Sequence, residues 1–358
     1  MKQAINKYFP IGMLSFVFLF IIGCKTPQKA TVGTSSLYVG QAIDFSQTLT
    51  TVAFGSCNDQ EEDQGMWNYI LRNRPQIWVW LGDNVYMDTE NPTELQQAYQ
   101  KQKDHPEYVK VRTSMPVIGT WDDHDYGMGD GNKTHPIRKQ SKQLMLDFLD
   151  VPLDAPVRQR EGAYQSYTFG TADKQVKVIL LDTRYFRDPL ADNPDPNFRY
   201  IPDPEADILG EAQWQWLEGE LTNSTAAVHL IGSGTQLISP QHPFEKWSDY
   251  PTARARFIKL LQKTKPAHPI VLSGDRHIAE LSKLAVEGLE VPLYDFTSSG
   301  LTHAYTEFTG EENPNRVGEV VSERNFGLIF IDWKPEGPAV KVQVRGYKNQ
   351  FFLEEQLF

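Results

Sequence analysis

Five apolar runs in this chain end in side chains able to hold a metal ion. Thr50–Phe54 leads into Gly55-Ser56-Cys57-Asn58, and Ile77-Trp78-Val79-Trp80-Leu81 leads into Gly82-Asp83-Asn84-Val85-Tyr86. Pro116–Thr120 is followed by Trp121-Asp122-Asp123-His124-Asp125, Val176–Leu181 by Asp182-Thr183-Arg184, and Pro269–Leu272 by Ser273-Gly274-Asp275-Arg276-His277. Thiolate, carboxylate, phenolate and imidazole together suit an iron-type or mixed-metal site better than magnesium alone. Each residue taken singly has a plainer role. Cys57 reads as a small buried hydrophobe, Asp83 as a turn cap, Tyr86 as a core phenol, and His124 or His277 as a structural imidazole. Their common placement at strand ends, where a fold can gather them, makes them one candidate site.

The chemistry this set can perform is phosphate ester hydrolysis. Paired metals generate a nucleophilic hydroxide near neutral pH and stabilise the leaving oxygen. Arg184 has the planar fork that matches phosphate, although an ordinary ion pair with Asp182 or Asp188 is equally open to it. His124, flanked by carboxylates, is placed to protonate a leaving group or hold a substrate oxygen. Asn84 leaves the same buried strand as Asp83 and Tyr86 and joins them as a candidate. A serine hydrolase is the rival enzyme class, but Ser233 in Ile231-Gly232-Ser233-Gly234-Thr235 lacks the Gly-x-Ser-x-Gly elbow. A surface binding protein without turnover is the non-enzymatic rival, and the full donor series argues against it.

The elements that must carry these corners alternate strand and helix, which predicts α/β layering. Strands are expected at 50–54, 77–81, 116–120, 164–169, 176–181, 227–231, 269–272 and 293–296, with β-like tail segments at 328–333 and 339–345. The 77–81 run, apolar throughout, reads as a strand buried on both faces. Helices are expected at 64–74, from Pro92 to Gln102 and from Pro106 to Ser114, the last two with proline in the first turn. Further helices fit 138–149, 210–221 and 252–264. Residues 186–208, rich in Pro, Asp and Asn, read as a long loop of the kind that often faces substrate. No internal repeat or second linker is visible, so one catalytic domain is expected from about 49 to 358.

The 358 residues carry a net charge of −11. Removing residues 1–23, whose only charges are Lys2 and Lys7, leaves −13. Such a surface excludes a nucleic-acid-binding role, carries no polybasic membrane patch, and suits a collector of divalent cations. The only cysteines are Cys24 and Cys57. Lys2 and Lys7 precede an apolar run, Ile11 to Ile22, that is too short to span a bilayer. Ile21-Ile22-Gly23-Cys24 follows, a pattern that resembles a bacterial lipoprotein signal with Cys24 as the acylated first residue. Residues 1–23 are therefore expected to be a signal peptide, with a plain amino-terminal anchor helix as the alternative, and 24–48 a lipidated, disordered tether. The protein is expected outside the cytoplasm, in the periplasm or at the cell surface, held to a membrane by the lipid on Cys24, and monomeric.

Taken in order, the strand-end motifs and Thr297-Ser298-Ser299-Gly300-Leu301 resemble the motif series of PhoD-like phosphatases, over about residues 50–303. The resemblance implies a metallophosphoesterase-type α/β/β/α sandwich of two facing mixed sheets. It also implies a centre holding Fe3+ and Ca2+, with other divalent metals as alternatives. By motif position Cys57 and Tyr86 would ligate iron, Asp83 would bridge toward calcium, Asp275 and His277 would complete the shell, and Asp123 would stand where related enzymes carry an asparagine ligand. His124, Asn84 and Arg184 are the expected catalytic residues, acting on phosphate mono- or diesters through a metal-bound hydroxide. The chain departs from the family pattern in three places. Gly129 stands where asparagine is expected, residues 25–49 leave no room for the amino-terminal β-domain of many relatives, and the acidic loop 186–208 is its own.

Overall fold

In a computed structural model the described residues are 40–358. Their strands, in chain order, are β1 (Thr51–Gly55), β2 (Ile77–Leu81), β3 (Val117–Thr120), β4 (Gln165–Phe169), β5 (Val176–Leu180), β6 (Val228–Ser233), β7 (Pro269–Ser273), β8 (Ala279–Leu284), β9 (Leu293–Ser298), β10 (Arg316–Val321), β11 (Asn325–Lys334), β12 (Gly337–Gly346) and β13 (Phe351–Gln356). The helices are α1 (Met66–Arg72), α2 (Pro92–Lys103), α3 (Pro106–Ser114), the single turn α4 (Asp123–Tyr126), α5 (Arg138–Phe148), the single turn α6 (Pro156–Gln159), α7 (Glu211–Thr222) and α8 (Pro251–Thr264).

The strands form two mixed sheets, ordered β13-β12-β11-β1-β2-β3 and β10-β8-β9-β7-β6-β5-β4. The period-two geometry of a strand explains the layering. In β2, Ile77, Val79 and Leu81 point into a core that also holds Val178 and Leu180 of β5 and Leu272 of β7, so the two sheets face each other there. Trp78 and Trp80 point the other way, into a second core with Met66, Trp67 and Ile70 of α1 and with Leu95, Tyr108 and Met145 from α2, α3 and α5. Behind the second sheet, Ile179, Ile231 and Val271 pack against Trp214 and Leu217 of α7 and Phe257 and Leu261 of α8. The arrangement is an α/β/β/α sandwich, as expected, and β2 is buried on both faces.

Proline sits in the first turn of α2, α3 and α8, where its missing N–H costs nothing. The expected pairing of 164–169 with 176–181 is an antiparallel ladder, Gln165 opposite Leu180. The tail segments form a longer hairpin, β11 with β12. Three strands have no expected counterpart. β8 and β13 mix charged and apolar residues, and β10 is a half-exposed outer strand of its sheet, so none carries a clear apolar period.

The expected signal peptide and Cys24 lie outside the described residues, as does the tether as far as residue 39. Its last part, 40–48, is not loose. The Gln41 amide donates to the Arg112 carbonyl at 2.6 Å, the Phe45 carbonyl accepts from Gly170, and the Phe45 ring lies 5.9 Å from that of Phe169. Ile43 packs on the inter-sheet core, so the ordered body begins at least nine residues before the expected boundary. Polar composition set that expectation; two backbone bonds and two apolar side chains overturn it.

No helix of the described residues is long and apolar enough to cross a membrane. Trp80 tests the packing account. It is fully buried, its indole N–H donates to the Tyr108 hydroxyl at 3.0 Å, and it meets Trp67 and Trp78 edge-on. Trp80→Ala is expected to cost about 3–5 kcal/mol, read as a lowered urea midpoint at unchanged slope.

Candidate metal centre

The carboxyl ends of β1, β2, β3 and β7 point to one end of the sandwich, and each breaks into a tight corner. Cys57, Asp83, Asp275 and His277 all have left-handed backbones, with φ of 61°, 47°, 71° and 53°. Such a conformation costs a non-glycine residue roughly 1–2 kcal/mol, so four of them mark stored strain at a functional site. Glycines let the corners crowd together. A Cβ on Gly82, which has φ 99°, would stand 2.3 Å from Asp122 Cβ, and one on Gly274 would stand 2.7 Å from the Leu81 carbonyl oxygen.

Three overlapping groups of donor atoms result, each with its atoms within 4.8 Å of one another: Cys57, Asp83 and His277; Asp83, Asp123 and His124; and Asp122, Asp123 and Asp275. Asp83 is common to the first two and Asp123 to the last two. Cys57 Sγ lies 3.5 Å from Asp83 Oδ2. The Tyr86 hydroxyl lies 3.3 Å from the same carboxylate and 2.9 Å from His277 Nε2. The side chains of all six expected metal ligands therefore lie together, with Asp83 and Asp123 each shared between two of the donor groups. His124 joins them at the wall of a cavity of about 370 Å³, shared with Asp83, Asp123, Asp275 and His277.

The electrostatics fit cations. Burial, and next the charge of Asp123, push Asp83 well above the usual carboxylate range. Burial and the charges of Asp122 and Glu245 do the same to Asp275. Asp123 is held low against burial, chiefly by Arg184 and His124. Burial and Asp83 raise the Cys57 thiol, while burial and the neighbouring His303 press the His277 ring down to about 3. One oxygen each of Asp122 and Asp123 is buried without a hydrogen-bond partner. Crowded carboxylates, a thiol and a neutral imidazole with acceptor atoms to spare are what divalent or trivalent cations satisfy.

Two expected catalytic residues sit behind this cluster. Asn84 is fully buried and donates to Asp125 Oδ2 at 2.6 Å and to the Thr120 carbonyl at 3.0 Å. Asp125 also accepts the amides of Asp83, Asn84 and Asp122, so the pair clamps two corners together. Arg184 is fully buried and holds Asp122 at 2.6 Å and Glu245 at 2.5 Å, rather than Asp182 or Asp188. Glu245 also binds Arg187. Arg184 thus orients carboxylates and does not line the cavity. Asp182 accepts four N–H groups, from Trp121, Ala163, Arg184 and Tyr185, and is structural. Ser233 donates to the Thr235 carbonyl and accepts from the Trp247 indole, which leaves no nucleophile.

Sequence reasoning missed four nearby groups. His303 Nε2 lies 3.1 Å from the Tyr86 hydroxyl, and its position after the β9 run was the available signal. Glu245 carried none. Arg199, from the long loop, and Arg276, between two expected ligands, also line the cavity.

Comparison with known proteins agrees with this geometry. A family described as PhoD-like phosphatase matches residues 52–350. Alkaline phosphatase D of Bacillus subtilis (strain 168) is 26% identical over 300 residues, 73% of this chain; the chain spans only half the length of that relative. A solved structure described as that of PhoD aligns with a TM-score of 0.64 at 19% identity, covering 89% of this chain and 73% of the other. A dimetal phosphatase from Danio rerio aligns at 0.50 and 12% identity, covering 87% of this chain and 99% of the other, which is a likeness of fold alone.

The division between ligands and supports is open to measurement. Asp83→Ala is expected to lose bound metal by elemental analysis of the purified protein while remaining folded. Asp182→Ala is expected to keep its metal and to lose about 3 kcal/mol of stability, because buried N–H donors are left without an acceptor.

Proposed function

This chain belongs to the PhoD-like phosphatase family, and from that premise we propose that it is a metal-dependent phosphoesterase acting outside the cytoplasm as a membrane-anchored lipoprotein. The observation that carries the reading is the chain of three donor groups joined through Asp83 and Asp123 at the strand ends. When bound, a pair of metal ions there supplies an activated water and polarises the phosphoryl oxygens. The mixed thiolate, phenolate and imidazole donors of Cys57, Tyr86 and His277 favour iron at one end, and the all-oxygen set of Asp122, Asp123 and Asp275 favours a cation such as calcium at the other.

The chain's own residues supply the rest. His124 lines the cavity, has its ring centre 4.3 Å from that of Tyr86 in a tilted pair, and lies 3.1 Å through Nδ1 from Asp88. Although burial opposes it, the Asp88 hydrogen bond and the charges of Asp83 and Asp123 push this ring up to about 10. An imidazole at the cavity wall with Nδ1 tied to Asp88 is placed to give a proton to the leaving oxygen. Asp125 and Asn84 keep the Asp83 corner in place, and Arg184 with Glu245 fixes Asp122. The 186–208 loop reaches the site through Arg199 and through the Tyr200 hydroxyl, which donates to Asp130 at 2.8 Å. It is the natural wall for the group esterified to phosphate.

Purified protein is expected to hydrolyse p-nitrophenyl phosphate, bis-p-nitrophenyl phosphate or both, and to lose that turnover on exhaustive chelation and regain it with added metal. His124→Ala is expected to lower kcat by about 10²–10⁴. Turnover that survives complete metal removal would overturn the mechanism. The anchor is tested separately: full-length protein should fractionate with membranes, and Cys24→Ala should release it.

A further inference from the structure

Arg276 is spent on nothing the proposed hydrolysis requires. It stands between Asp275 and His277, lines the same cavity, and has a fully buried side chain. Glu311 takes one end of the guanidinium, accepting from Nη2 with both oxygens at 2.7 and 2.5 Å. Nε and Nη1 are buried with no partner at all. The ring of Phe244 covers the group at 4.7 Å and meets Tyr305 edge-on at 5.9 Å, and the Tyr305 amide is tied to the His277 carbonyl. Phe244 is itself about one-third exposed, at 36%, so this roof is a side chain that can swing aside. Arg199 enters the same cavity from the 186–208 loop and pairs with Asp130.

Buried N–H donors on a charged group are rarely left unmatched in a folded protein. Inside this cavity the carboxylates of Asp83, Asp123 and Asp275 belong to the metal ions, and Glu311 already serves Nη2. The missing acceptor is therefore one that arrives with substrate. A guanidinium matches phosphate oxygens in both charge and geometry. We propose that Arg276, held by Glu311 and assisted by Arg199, receives a second phosphate of the substrate. The preferred substrates are then phosphate esters that carry another phosphate group beyond the one being cleaved. This inference rests on the phosphoesterase reading and narrows its substrate class.

The test compares a matched pair, fructose 6-phosphate and fructose 1,6-bisphosphate, by phosphate release from metal-loaded protein, with p-nitrophenyl phosphate as reference. Wild type should prefer the bisphosphate by about tenfold or more in kcat/KM, and Arg276→Gln should erase most of that preference, mainly through KM. The double variant Arg276→Gln, Glu311→Gln, which leaves no lone buried carboxylate, should behave alike, and Arg199→Gln should show a smaller loss. Equal loss on all three substrates, or an unchanged ratio, would overturn the proposal, since Arg276 would then serve the scissile phosphate or only the fold. If no substrate turns over, the hydrolytic reading has failed. Calorimetric titration of wild type and Arg276→Gln with the two sugar phosphates then decides the second-phosphate site by itself, and equal affinity for both sugars would refute it.

Discussion

Like charges cannot share a dry pocket without a counter-charge, and this constraint governs one end of the molecule. Asp83, Asp122, Asp123 and Asp275 converge at the foot of the cavity, and burial, with the charge of neighbouring acids, pushes three of them upward. Among the described residues the fully buried Arg184 is paired with this group, and it is spent on Asp122 and Glu245. Asp83 and Asp275 are left with His124 and whatever cations the pocket takes up. A buried carboxylate without such a partner would be a serious loss, because an isolated charge in a low-dielectric interior is among the costliest things a fold can contain. Metal uptake would therefore serve this site's stability as well as the proposed chemistry.

The rest of the architecture keeps the corners from relaxing. Left-handed backbone at four ligand positions would unwind in a loose loop, but each corner follows a strand locked in the sandwich. Asp125 accepts amides from both the β2 and β3 corners, and Arg184 reaches back from the β5 corner to the acid of the β3 corner. The two sheets fix where the strand ends are, and this buried polar network fixes how they turn. Neither would suffice alone, since a rigid strand end with a free corner could place its ligand several ways.

How much of this the amino-acid sequence discloses depends on the range of the interaction. β2 is legible because five apolar residues and a glycine are a local statement, and its observed limits, Ile77–Leu81, match the expectation. The six candidate metal ligands are legible for the same reason, since their motifs stand at the ends of apolar runs, and the structure brings their side chains together. Arg184 is not. Its partners Asp122 and Glu245 lie 62 and 61 residues away, and nothing local separates them from Asp182, two residues along. Residues 40–48 look like linker because they are polar on average, yet Ile43 and Phe45 dock on the sandwich. β13 hides because an edge strand with one half-buried face tolerates Glu354, Glu355 and Gln356.

Chemistry and selectivity are built from different parts of the chain. The candidate metal donors come from strand ends, whose positions the sheets dictate, whereas much of the rest of the wall comes from loops: Arg199 from 186–208, Phe244 from the segment after β6, and Tyr305 from the segment after β9, which also carries Glu311. Loops accept changes in length and sequence at little cost to the core. Under the proposed function, cations held at the strand ends would act on any phosphoryl group that reached them, so discrimination among substrates would fall to those three loops. Arg276 belongs to both parts. Its backbone is fixed by the strained corner between Asp275 and His277, while its guanidinium is aimed by Glu311 from a loop. A change in the loop can therefore redirect what the site recognises without moving the ligands on either side of Arg276.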